Sequence, residues 1–310
     1  MRIIDVDYIE QSMKDENAFI LRCEEVFHDK VSMAVAKILN AMQKGIRIVC
    51  LTGPSGSGKT TTAYRLRDYL RNLTVPVIML SMDNFFLPAR LRPEAVRNDF
   101  ESPLCVDAPR LISAVTDLSE GKTVEVPSFD FVNGDYGPSH IEQGDREAVV
   151  IVEGIHMLNP LLFDSLRERA IGIYASPRTR VLTQDEIVIH PHTTRVARRM
   201  LRDYSTRGRS LQQTVISQES VNRGEKEYIT PYRFNAEVHL DTFHDYEPCI
   251  LAKCLKELPA FREELTPEFV DAHDLTHLIR LVESLPALHT TYIPRNSLLR
   301  EFVGGSKYTY

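Results

Sequence analysis

The sequence predicts an α/β protein built on a doubly wound, mainly parallel sheet with helices on both faces. Two observations carry this. Short apolar runs rich in β-branched residues, at 46–51, 75–81, 148–152, 171–174 and 237–241, alternate with stretches of helical period. Strands without a polar face belong in a sheet covered on both sides. In addition, Gly53-Pro54-Ser55-Gly56-Ser57-Gly58-Lys59-Thr60 lies between the first such strand and a helix, the setting of a phosphate-binding loop (P-loop). Sheets of this kind bind ligands at the carboxyl ends of their strands.

The elements follow in order. Residues 16–44 read as helix, because Phe19, Ile20, Cys23, Val26 and Phe27 fall on one face and Gly45 suits the residue after its end. Strand 46–51 leads into the glycine-rich run, and helix resumes after Lys59. Strand 75–81 carries Pro76 at its start, where a missing N–H is tolerated. Asp107 caps a helix running to about Leu118, with Pro109 in its first turn. The alternating stretch 123–131 is a strand or hairpin, a small β element. Residues 193–206 and 210–222 read as two helices, the second capped by Ser210, and 247–257 as another. Beyond 258 come three helical pieces punctuated by prolines, then a tail. The expected organisation is an N-terminal helical extension (1–45), a core domain (46–257) with an arginine-rich lid at about 193–210, and a C-terminal appendage (258–310).

The chain has 310 residues, 43% apolar and 26% charged, with a net charge of -6. That excludes wholesale disorder and collagen-like or coiled-coil sequence, and it argues against a nucleic-acid partner. The five cysteines are scattered without C-x-x-C spacing and read as reduced thiols, with Cys249 and Cys254 in the core. No apolar stretch is long enough to span a bilayer and no secretory apolar region opens the sequence, so the expectation is a cytoplasmic protein without a membrane partner. A homo-oligomer is left open. His190-Pro191-His192 reads as structural or exposed rather than as a metal site. Tyr308 and Tyr310 are expected to be mobile.

The chemistry concentrates in three places. Glycines let the 53–61 backbone wrap a phosphate, and the following helix adds its positive end. Gly53, Ser55, Gly56, Ser57, Gly58, Lys59, Thr60 and Thr61 are therefore the candidate nucleotide site, with Lys59 reaching the outer phosphates and the Thr60 hydroxyl ligating Mg²⁺. Asp83 and Glu153 follow two of the strands, at the same sheet edge. A carboxylate beside an acceptor hydroxyl and an acid on Mg²⁺ are what phosphoryl transfer to an alcohol requires. Asp83 suits the first role; Glu153, with Thr60 and Asp83 beside it, suits the second. The plainer reading of Asp83 is a turn cap. Finally, Arg195, Arg198, Arg199 and Arg202 form one helical stripe, followed by Arg207 and Arg209. Clustered guanidiniums repel unless an anion faces them, which suggests a mobile lid over a triphosphate. A solvated basic face or an RNA contact is the alternative.

The segments GPSGSGKTT, MDNFF, NDFESP, VEVPSFDF, VVIVEGIH and RRMLRDYSTRGR occur in the order and at the intervals seen in uridine kinases and phosphoribulokinases. Residues 46–245 thus resemble that family of P-loop kinases. The resemblance implies ATP and Mg²⁺ as cofactors and phosphorylation of a primary alcohol. It makes Asp83 the general base and Glu153 a Mg²⁺ holder, and assigns Lys59, Arg202 and Arg207 to catalysis. Arg198, Arg199 and Arg209 would be nucleotide-binding lid residues, and Phe86, Glu101, Phe129 and Phe131 would join Asp83 at the acceptor. The first acceptor it suggests is a nucleoside, uridine or cytidine. The chain departs from the family where the base is read. Pyrimidine nucleoside kinases carry tyrosine, phenylalanine and histidine, whereas this sequence has Phe129, Phe131 and Gly134, with His140 six residues further on. Another polyol or sugar-like alcohol is therefore an alternative acceptor, and Phe129 and Phe131 could be plain hairpin core. A silent ATP-binding module, regulatory or RNA-associated, is the alternative from another class. The N-R-G-E segment (222–225) and the S-L-L-R-E-F-V-G-G stretch (297–305) resemble longer uridine-kinase-like proteins.

Overall fold

The computed structural model describes residues 2–310. Ile3–Asp5 (β1) leads into helices Val6–Ser12 (α1) and Glu16–Gln43 (α2). Ile48–Thr52 (β2) is followed by Lys59–Asn72 (α3), Val77–Ser81 (β3) and Ala108–Ser119 (α4). The hairpin Thr123–Asp130 (β4) and Asp135–Gln143 (β5) precedes Val149–Glu153 (β6), Pro160–Phe163 (α5) and Ala170–Ser176 (β7). Arg180–Leu182 (β8) and Val188–Ile189 (β9) lead to Pro191–Thr206 (α6), Leu211–Ile216 (α7) and Gln218–Gly224 (α8). After Val238–Asp241 (β10) come Glu247–Glu257 (α9), Pro259–Glu264 (α10), Pro267–Ala272 (α11), Thr276–Ser284 (α12) and Arg300–Val303 (α13).

The apolar runs pair as expected. The central sheet has the order β10-β7-β2-β6-β3, and every neighbouring pair is parallel. Because successive side chains point to opposite faces, each strand feeds two cores. Ile48, Cys50, Val150 and Val152 pack under α4 and α5; Val49, Leu51, Val149 and Ile151 pack under α2 and α3. From β2 the chain runs first to β3 and β6 on one side, then to β7 and β10 on the other. The reversal leaves a crevice beyond the tip of β2, which is where such sheets hold ligands. No helix among the described residues is long and apolar enough to cross a membrane.

The flanking segments share these cores. Phe27, Val31, Ala34, Val35 and Ile38 of α2 pack in the same cluster as Leu298 and Phe302 from the end of the chain. A third cluster joins α1, α6, α9 and α12. Two features escape the sequence reading. One is a second small sheet, in which β1 pairs parallel with β8 and β8 antiparallel with β9; strands of two or three residues have too few positions to show a period. The other is a break in the expected 210–222 helix. Ser210 does form a capping box with Gln213, but the helix ends and restarts at Ser217.

The stripe on α6 differs more sharply from expectation. Arg195, Arg198 and Arg199 are buried, so the N-terminal two thirds of α6 is a packed helix, neither a solvated face nor a free lid. Arg198 is fully buried and was expected at the nucleotide. Instead its Nη2 donates to Glu247 at 2.8 Å and to the Thr242 carbonyl at 3.0 Å, and its Nη1 donates to the Gly56 carbonyl at 3.1 Å. Its Nε donates to the other Glu247 oxygen. Thr242 in turn donates its hydroxyl to the Ser57 carbonyl at 2.7 Å. A buried ion pair therefore ties α6 and α9 to the back of the P-loop. Arg198→Ala leaves the buried Glu247 carboxylate and two carbonyls without their donor. It should cost about 3–5 kcal/mol of stability, read as a lowered denaturation midpoint.

Candidate active site

The site is built from the tip of β2 outward. The Thr52 hydroxyl is shared between the carbonyls of Gly154 (2.7 Å) and Ile155 (2.8 Å), which pins β2 to the tip of β6. Gly56 and Gly58 adopt φ of +75° and +83°, a conformation only glycine takes without strain. Gly58 is the N-cap of α3 and offers no side-chain acceptor, so the first N–H groups of α3 need an acceptor from outside the helix. The Ser57 hydroxyl is buried and lacks a partner among the described residues. Gly53 cannot carry a side chain, since a Cβ there would lie 2.0 Å from the Ala175 carbonyl oxygen. These features fit a phosphate chain.

A cavity of about 190 Å³ opens over this loop, and most of the expected site residues line it. Ser55, Gly56, Gly58, Lys59 and Thr60 form its floor; Asp83 and Glu153 come from the strand tips, and Arg202 and Arg207 from the end of α6. Phe86, Glu101 and Phe131 also line it. Gly53 and Ser57 do not line the cavity, nor does Thr61, whose N–H and hydroxyl both donate to Glu301. Arg199 and Arg209 do not line the cavity. Arg199 donates to Gln218 and, at 3.1 Å, to the Ser217 hydroxyl, while burial lowers its pKa to about 10. Arg209 is exposed. Phe129 is buried one layer back, its ring 4.9 Å from Phe131 and 5.8 Å from Phe86. It supports the wall rather than forming it. His140 is exposed beside Glu142, and the Gly134 turn lies outside the cavity.

Ser81 joins the two acids. Its hydroxyl donates to Glu153 at 3.1 Å and accepts the Asp83 N–H at 3.3 Å. Burial pushes the Glu153 carboxyl up to about 7; the Asp83 charge adds to the rise, and Lys59 and Ser81 oppose it. The Asp83 carboxyl is also raised by the protein crowding the cleft, against the pull of Lys59, Arg207 and Arg202. The residue is nonetheless exposed at the cleft. Lys59 is lowered by desolvation, while Glu153, Asp83 and Glu301 hold it charged. Its Nζ donates to the Pro54 carbonyl at 3.3 Å, poised over the loop.

Several contributors were not visible in the sequence. Asp203, fully buried, accepts from Arg202 Nε at 3.0 Å and pairs with Arg207 at 3.3 Å, aiming both at the cavity. Phe100 lines the cavity and carries the Arg92 guanidinium 4.1 Å from its ring centre. Gly224, in the N-R-G-E segment, lets Glu101 approach, because a Cβ there would lie 2.3 Å from the Glu101 Cβ. Glu301, from the far end of the chain, also reaches the cavity. Tyr308 and Tyr310, expected to be mobile, are held: Tyr308 donates to Asp68 at 2.9 Å, and the Tyr310 hydroxyl lies 2.9 Å from that of Thr61. His190 is exposed, whereas His192 Nε2 bonds to Asn222 at 2.8 Å. Cys249 is buried in the core and Cys254 partly so. Among the described residues no three histidine, cysteine or acidic side chains converge tightly enough to hold a metal ion. A divalent ion here would draw its remaining ligands from phosphate oxygens and water.

The model of the phosphoribulokinase / uridine kinase family matches residues 48–247, more than half of the chain. A uridine kinase from Ligilactobacillus salivarius is 29% identical over 194 residues, covering 62% of this chain and 83% of that one. Uridine-cytidine kinase B of Dictyostelium discoideum is 30% identical over 197 residues, covering 62% and 72%. A shorter match, 32% over 126 residues, is to the inorganic pyrophosphatase TTM2 of Arabidopsis thaliana and covers 41% of this chain and 18% of that one. The P-loop at the tip of the central strand, the acids beside it and a family match spanning the whole sheet agree. The chain belongs to the phosphoribulokinase / uridine kinase family and is a phosphotransferase that acts on a hydroxyl group of a small molecule.

Proposed function

We propose that the protein transfers the γ-phosphoryl group of ATP to the primary hydroxyl of a nucleoside. The observation that carries this is the convergence of Lys59, Asp83, Arg202 and Arg207 on one cavity over the P-loop. The loop N–H groups and Lys59 hold the phosphate chain. Asp83 accepts the hydroxyl proton as the acceptor oxygen bonds to phosphorus and the bond to ADP breaks. A carboxyl raised from its ordinary range is a better base near neutral pH. Arg202 and Arg207, oriented by Asp203, face the charge on the transferring group, a role in which one arginine contributes roughly 10³–10⁵ in rate. Thr60 and Glu153 would hold Mg²⁺, which supplies charge neutralisation and phosphate orientation. A silent module would be expected to have lost one of Lys59, Thr60, Asp83 or Glu153, and all four are present at one site.

The acceptor side favours a flat ring. Phe86, Phe100 and Phe131 wall the cavity, with ring centres 5.4–6.2 Å apart, and Glu101 offers a carboxylate for ribose hydroxyls. An open-chain polyol gains little from three rings, whereas a base stacks on them. The uridine and uridine-cytidine kinases among its relatives support a pyrimidine nucleoside. With phenylalanine at 129 and 131 and no histidine, this wall reads a base by stacking, so discrimination between uridine and cytidine should stay within about 100-fold in kcat/KM.

Two measurements test this reading. In an ADP-release assay with a panel of nucleosides and sugars, a pyrimidine nucleoside should give the highest kcat/KM, and Asp83→Asn should lower its kcat by about 10²–10⁴ while leaving ATP affinity nearly unchanged. Full turnover in that variant overturns the base assignment, and a sugar as best acceptor overturns the nucleoside. The second measurement is the pH dependence of Mg²⁺. Only the ionised Glu153 carboxylate can hold the metal, and its pKa is raised to about 7. The half-saturating Mg²⁺ concentration should therefore rise about tenfold as pH falls from 8 to 6. This dependence should flatten in Glu153→Gln. If it persists there, it belongs to the nucleotide phosphate and Glu153 is not a ligand.

A further inference from the structure

The segment from Ser297 to Tyr310 is a strap laid across the start of α3. Leu298 and Phe302 anchor it in the core beneath, both essentially unexposed. Leu298 seats directly on Gly58, where a Cβ would lie 2.6 Å from its side chain. Between these anchors Glu301 turns toward the P-loop, and its Oε2 accepts the Thr61 N–H at 3.3 Å and the Thr61 hydroxyl at 2.7 Å. The Tyr310 hydroxyl lies 2.9 Å from the same Thr61 oxygen. Tyr308 stacks on Tyr64, with ring centres 4.8 Å apart, and it shares Asp68 with Lys307.

Thr61 lies in the first turn of α3, among the N–H groups that a phosphate-binding loop offers to its ligand. A carboxylate on those donors occupies an anion's seat. The cavity size agrees. At about 190 Å³ it is smaller than the 300–1,000 Å³ typical of small-molecule sites, yet it must take a triphosphate and an acceptor together. Charge points the same way. Glu301 adds its carboxylate to those of Asp83, Glu101 and Glu153 in the cavity, so a phosphate group entering beside it meets local repulsion.

We propose that residues 297–310 are a built-in competitor for nucleotide: the Glu301 carboxylate stands where a phosphate group of ATP must bind, and ATP displaces it before the site can turn over. The proposal rests on the kinase reading above. The anchors Leu298 and Phe302 stay in place. The Glu301 side chain swings out and the 306–310 end lifts about Gly304 and Gly305, whose φ values of +80° and +75° suit a hinge. A seat closed in most molecules lowers the apparent ATP affinity by the open fraction.

The test is calorimetric titration of the full-length protein with ATP, alongside Glu301→Gln and Tyr308→Ala, with amide hydrogen exchange of the strap. Loss of the charge-assisted bonds should make Glu301→Gln bind ATP about tenfold tighter. Loosening the aromatic end should tighten binding about threefold in Tyr308→Ala. Saturating ATP should speed exchange at the Lys307 amide, which donates to the Arg295 carbonyl at 2.8 Å in the closed strap. Wild-type binding with unchanged or weaker affinity in a folded Glu301→Gln overturns the strap and leaves the cradle standing. If Glu301→Gln does not fold, Tyr308→Ala and the exchange rate decide, and no change in either overturns the proposal. Failure of the wild type and both folded variants to bind ATP overturns the kinase reading and the strap with it.

Discussion

The demand of the first N–H groups of α3 for an anion organises this protein. They point out of the sheet at the tip of β2, with no capping side chain of their own, because Gly58 is the N-cap. The glycines that let the loop curl around that point also forbid it side chains with which to satisfy itself. Everything nearby answers the resulting positive potential. Lys59 adds to it, the acids of β3 and β6 gather around it, and Glu301 reaches in from the far end of the chain.

Holding such a loop open requires support from behind. The Arg198–Glu247 pair supplies it, with Gly56 and Thr242 carbonyls satisfying the remaining guanidinium donors. The same helix then presents Arg202 and Arg207 forward through Asp203. One arginine stripe thus divides into a buried structural half, in which Arg195 and Arg198 meet carboxylates and Arg199 meets Gln218 and Ser217, and a half that lines the cavity. The division follows burial: guanidiniums that face the core spend their donors on protein acceptors, and those near the C-terminal end of α6 reach the cavity.

The acceptor side is built by packing rather than by charge. Phe129 in the hairpin supports Phe131, Phe86 closes from the segment after β3, and Arg92 lies over Phe100. Glu101 approaches only because Gly224 has no side chain. The wall is therefore assembled from four separate stretches of chain.

The order of the apolar runs, the P-loop and the two acids at strand ends were legible in the amino-acid sequence because each depends on local rules. A fully buried strand must be apolar throughout, a loop around phosphate must contain glycine, and carboxylates after parallel strands share an edge. Cys50, Lys59, Asp83 and Glu153 needed no partner distant in sequence to be read. The tertiary structure alone decided what depends on contacts across the chain. Arg198 and Arg202 sit four residues apart on the same helix, yet one meets Glu247 and the other the cavity, and no periodicity distinguishes them. Glu301 lies 240 residues from Thr61, and only packing of Leu298 and Phe302 beneath α3 brings its carboxylate to that helix end.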